Sequence, residues 1–105
     1  MGKAAAVVGE AATLECDIWS YPPVTSIQFY RNSMVIDATG QLVIQAVEYN
    51  VSGNIYNQRR SLKFQSVAES DYGLYSCQAA NSLRNVEIGL ELLRPGTILF
   101  RSIKL

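Results

Sequence analysis

The 105 residues are enough for one domain and too few for two. Nine basic and nine acidic side chains cancel, which excludes the basic excess of a nucleic-acid module and the polybasic patch of a membrane-surface binder. Nearly half the residues are apolar, enough for a core, yet no apolar run approaches the roughly 20 residues of a membrane span.

In chain order, "MGK" reads as an expression start joined to an excised domain, followed by a short strand around Ala4 to Val8 and a turn at Gly9-Glu10. "AATLEC" alternates, with Ala12, Leu14 and Cys16 on one face and Thr13 and Glu15 on the other. "SYPPVTS" is a loop, because its proline pair has no N–H to give a ladder. "SIQFYR" alternates again, Ile27, Phe29 and Arg31 opposing Gln28 and Tyr30. Asn32-Ser33 predicts a turn into "MVI", and "ATG" a second break before the alternating run "QLVIQAVEY". Its β-branched content favours strand over helix. Ser52-Gly53-Asn54 predicts a hairpin turn into "SLKFQSV", which turns Leu62, Phe64 and, past a kink, Val67 inward. "DYGLYSCQA" places Tyr75, Cys77 and Ala79 on an inner face. After the polar turn "NSLRN", "VEIGLEL" sets Val86, Ile88, Leu90 and Leu92 against Glu87, Gly89 and Glu91. Eight or nine short strands with regular turns describe an all-β antiparallel sandwich.

Cys16 and Cys77 are the only cysteines, and histidine is absent, so this chain alone cannot supply a four-ligand zinc site. A disulfide is the better reading. The sequon Asn50-Val51-Ser52 points the same way, to an oxidising, glycosylating compartment. No general base, Gly-rich phosphate loop or activated nucleophile is present, and acids such as Glu10, Asp37 and Glu69 are scattered. The sequence therefore reads as a non-enzyme with no cofactor and no metal.

"GEAATLEC", "SLKFQSV", "DYGLYSC" and "CQAANS" together resemble an immunoglobulin-superfamily domain between I-set and V-set types, over roughly Gly9 to Leu93. The strand-F signature Asp-x-Gly-x-Tyr-x-Cys is matched by Asp71, Gly73, Tyr75 and Cys77. The resemblance implies a Greek-key sandwich with Cys16 bridged to Cys77 between its sheets. It implies Tyr75 as a tyrosine corner and Leu62 as an inward residue of the preceding strand. Asp71 is then either an ordinary turn acid or the acceptor of a charged bond from Arg60 or Arg59. Two features depart from the family. Phe29, thirteen residues after Cys16, stands where tryptophan is usual. The one tryptophan, Trp19, either folds over the disulfide or sits exposed. Thirty residues separate Arg31 from Leu62, which suggests a V-type extra C″ strand.

This gives an immunoglobulin-like domain over residues 1–93 and a tail, 94–105, that is a linker, a vector-derived extension or an added strand. The resemblance implies protein recognition through the C–F–G face, where Gln28, Tyr30, Leu74, Gln78 and Glu87 face outward beside Ser76 and Gly89. The expected partner is another immunoglobulin-like domain, identical or different, with no nucleic acid and no direct membrane contact. An Asn50 glycan would leave that face free. Two function classes follow: an extracellular recognition module of a cell-adhesion or self/non-self receptor, or an intracellular scaffold module of the muscle-filament kind.

Overall fold

The computed structural model of the chain describes residues 2–96. Eight strands run in order: β1 (Gly2–Ala5), β2 (Ala12–Ser20), β3 (Ser26–Arg31), β4 (Met34–Val35), β5 (Leu42–Ser52), β6 (Ile55–Phe64), β7 (Gly73–Ala80) and β8 (Asn85–Leu93). They form two layers, a five-stranded sheet β1-β8-β7-β3-β4 and a three-stranded sheet β2-β6-β5. All pairings are antiparallel except β1 with β8, which is parallel. The chain thus has the expected all-β immunoglobulin-like sandwich. The first strand lies slightly earlier than Ala4 to Val8, and Val7 and Val8 are exposed in the turn that follows.

Period-two alternation decides which side chains enter the core. Leu14, Cys16 and Ile18 from β2, Leu62 and Phe64 from β6, Tyr75, Cys77 and Ala79 from β7, and Leu90 and Leu92 from β8 are all buried. Removing each large apolar side chain from water contributes about 1.5–3 kcal/mol. Cys16 and Cys77 join the two sheets through a disulfide, with 6.3 Å between their Cα atoms. Phe29 is only 1 % exposed and pairs in register with Cys77, so its ring takes the core position of the usual tryptophan. Trp19 is 59 % exposed at the end of β2, which leaves it the exposed of its two predicted placements.

Turn chemistry matches the sequence at two hairpins. Asn32 and Ser33 both have positive φ, as a two-residue turn between β3 and β4 requires. Gly53, at φ +55°, does the same between β5 and β6. The loop after β2 is pinned by Gln58, whose amide both accepts from Val24 N (2.6 Å) and donates to Val24 O (2.9 Å).

The expected C″ strand is a correction. No strand lies between Val35 and Leu42; the extra residues lengthen β5 and β6 into a hairpin of eleven and ten residues. Val47 to Ser52 are all exposed, although Asn57 and Gln58, the partners of Tyr49 and Glu48 on β6, are buried. Asn50 lies there, exposed on β5 opposite Tyr56. The tail expected over 94–105 falls mostly on residues 97–105, outside the described residues.

Candidate functional site

Two groups of sequence-singled residues come together at different places. The first is the corner before β7. A 3₁₀ turn, Glu69–Asp71, brings the chain into β7, and the Asp71 carboxylate accepts from Ala68 N at 2.7 Å. The Tyr75 hydroxyl donates to Asp71 O at 2.5 Å, closing the corner.

The arginine at this corner is a correction: it is Arg31, not Arg60 or Arg59. Arg31 Nη1 donates to Asp71 O (3.0 Å) and to the Tyr75 hydroxyl, and Nη2 donates to Tyr72 O (2.8 Å). Its guanidinium also lies 4.7 Å from the Tyr75 ring centroid, within cation–π range. Gly73 makes room for it: φ is +133°, and a Cβ there would stand 3.3 Å from Arg31 Nη2. Arg60 pairs instead with Glu48 across the β5–β6 hairpin at 2.8 Å, and its hydrogen bond holds the Glu48 carboxyl below the usual carboxylate range. Arg59 faces Asp17 at 3.5 Å. The register explains the exclusion, since Arg60 pairs with Cys16 and Ala46 in the other sheet.

Burial raises the Tyr75 phenol above its ordinary pKa, against the lowering field of Arg31. A folded pKa above the unfolded value gives stability that is full below about pH 10 and falls as pH rises past it. Tyr75→Phe is expected to flatten the alkaline limb of a denaturation-midpoint-against-pH curve above about pH 10. An unchanged limb would place the titration elsewhere.

The second group is the outer face of the larger sheet. The register sets Gln28, Gln78 and Glu87 in one row across β3, β7 and β8, and Val35, Tyr30, Ser76 and Gly89 in the next. The Tyr30 hydroxyl donates to Gln28 Oε1 (3.0 Å), and Gln78 Nε2 donates to Glu87 Oε2 (2.9 Å). These residues line a depression of about 450 Å³, together with Ser26 and Asn85. Leu74 lies outside it, on the same face beside Glu91, and is 68 % exposed. Of the five named face residues, the structure gathers Gln28, Tyr30, Gln78 and Glu87 and leaves Leu74 a satellite.

Sequence reading missed Ser26, Asn85 and Val35. The alternation of "SIQFYR" gives Ser26 the parity of Gln28, so that signal was present. Val35 needs the β3–β4 pairing, which sets it opposite Tyr30. The face carries hydrogen-bonding groups and a few apolar side chains, and among the described residues no three of His, Cys, Asp or Glu come together as a metal site. It can dock a complementary surface.

Comparison with known proteins places this geometry. A family model described as an immunoglobulin domain matches residues 2–81. The limbic system-associated membrane protein of Rattus norvegicus is 32 % identical over 93 residues, covering 89 % of this chain and 25 % of that protein. The titin homolog of Caenorhabditis elegans is 34 % identical over 91 residues, covering 87 % of this chain and a vanishing share of its own length. Among solved structures, Dpr2 Ig1-Ig2 in complex with DIP-Theta Ig1-Ig3 superposes with a TM-score of 0.72 at 26 % identity, over 88 % of this chain and 29 % of that one. The chain thus spans about a quarter of the rat relative.

Proposed function

This chain belongs to the immunoglobulin-domain family, and from that premise we propose that it is an extracellular recognition module whose larger sheet docks another immunoglobulin-like domain. The observation that carries the reading is the depression on the outer face of β3, β7 and β8, walled by Gln28, Tyr30, Gln78 and Glu87. Tyr30 is its aromatic anchor, with Val35 and Leu74 exposed outside it on the same face, and tyrosine is enriched among residues that carry binding energy. Residues 1–93 form the recognition domain. The disulfide and the Asn50 sequon support an oxidising compartment. The rat relative is by name a membrane protein, and the Dpr2 structure is of a complex. The first supports a cell-surface setting, and the second supports docking between immunoglobulin domains.

Likeness to the titin homolog favours a second reading, an intracellular scaffold module with reduced cysteines. The mass of protein secreted from a eukaryotic host, measured without reductant, separates the two: the first reading expects an oxidised, glycosylated product.

Docking is tested on that same secreted protein. Tyr30→Glu with Leu74→Glu is expected to weaken self-association in sedimentation by about tenfold or more, equal to about 1.4 kcal/mol. Wild-type association that survives both charges unchanged sinks the homophilic form of the reading.

A further inference from the structure

The core-facing side of β5 is covered along only part of its length. Leu42 and Ile44 pack against the core, whereas Ala46, Glu48 and Asn50, of the same parity, are exposed. Tyr56 stands on this open side. It pairs in register with Asn50, so the two side chains leave the hairpin on one face with their Cβ atoms about 5 Å apart. Tyr56 is half-buried, and among the described residues its side chain has no hydrogen bond, ion pair or ring partner. Asn50 heads the sequon Asn50-Val51-Ser52. The register slips between Asn50 and Ser52, so Asn50 with Tyr56 is the last regular pair before the turn at Gly53.

Glycosylation of a sequon puts N-acetylglucosamine on the asparagine amide nitrogen. That nitrogen loses a proton and bonds C1 of the sugar, and the lipid diphosphate of the oligosaccharide donor departs as the leaving group. One face of the attached pyranose carries only axial C–H groups, weakly positive, while the face of a phenol ring is electron-rich. Stacked rings lie with centroids about 4.5–7 Å apart, a range that a cross-strand pair supplies.

We propose that Asn50 is a built glycan site, in which the first N-acetylglucosamine lies against the Tyr56 ring and clamps the end of the β5–β6 hairpin. The chain itself names the occupant, since the sugar is tethered beside the ring that it covers. Tyr49, next to the sequon, does not serve: parity sends it to the opposite face of the sheet, across from Asn57. The native compartment comes from the extracellular reading; the stacking is read on protein passed through a secretory host, so either fails without the other.

For the test, the protein is secreted from a eukaryotic host that builds high-mannose glycans and is trimmed by endoglycosidase to a single N-acetylglucosamine. Its mass should show Asn50 occupied. In the NMR spectrum the axial protons of the sugar should move upfield, shielded by the Tyr56 ring, with nuclear Overhauser contacts to it. The trimmed protein should have a folding equilibrium constant about threefold above that of Asn50→Gln. In a Tyr56→Thr background, which keeps a strand-forming residue, the sugar should bring no such gain, and a double-mutant cycle isolates the difference. An unoccupied Asn50, sugar protons at unshifted positions, no gain with Tyr56 present, or an equal gain in both backgrounds overturns the proposal. If Tyr56→Thr does not fold, the sugar shifts in the wild-type protein decide alone.

Discussion

Reducing the Cys16–Cys77 bond is expected to lower stability by about 4 kcal/mol, because the cross-link closes a long loop in the unfolded chain. The sequence separation of 61 sets that magnitude: loop-closure entropy grows with the logarithm of loop length. A domain of this size is stable by about 5–15 kcal/mol, so the bond carries a large share. Cys16→Ala with Cys77→Ala should cost more than reduction. Both sulfurs lie in the core, at 1 % and 0 % exposure, and removing them adds a cavity on top of the lost constraint. Urea denaturation of the oxidised, reduced and doubly substituted proteins separates the two contributions. The reduced protein should fall between the others, with a larger urea dependence than the oxidised one because its unfolded chain is less confined. Equal midpoints for oxidised and reduced protein would mean that packing alone holds the sheets together.

Strand existence and facing were legible because the core-forming runs alternate cleanly. "ATLEC" and "LYSCQA" give the buried residues Leu14, Cys16, Tyr75, Cys77 and Ala79 directly. The same parity yields the outer-face residues Gln28, Tyr30, Gln78 and Glu87. Along β5 the apolar pattern misleads: Leu42 and Ile44 pack against the core, whereas Val47, Tyr49 and Val51 have the opposite parity and stand exposed on the outer face of the smaller sheet. A pattern of apolar residues reports a core only where a second layer exists to receive it. The extra length between Arg31 and Leu62 was likewise visible, but a longer hairpin and an added strand consume residues equally. Turn signals at Gly53 and at Asn32-Ser33 fix the ends of strands, not which strand lies beside which.

Arg31 is the residue that parity placed but could not interpret, and its removal gives the second large effect. Arg31→Leu is expected to destabilise the fold by about 2–3 kcal/mol, whereas Arg60→Ala costs less than about 1 kcal/mol. The asymmetry follows from what each guanidinium leaves behind. Without Arg31, the carbonyls of Asp71 and Tyr72 and the hydroxyl of Tyr75 lose a donor in a half-buried setting, and the Tyr75 ring loses its cation. Without Arg60, Glu48 returns to water, where it is already more than half exposed. Arg31→Lys should recover only part of the loss, because an ammonium cannot hold two carbonyls in the fixed fork of a guanidinium. Gly73→Ala acts on the same corner from the backbone side, through both its φ of +133° and the contact with Arg31 Nη2. Its cost should therefore be smaller in the Arg31→Leu background than alone, a coupling that a double-mutant cycle reads directly. Strict additivity of the two, or a larger loss from Arg60→Ala than from Arg31→Leu, would assign the corner to a different cation.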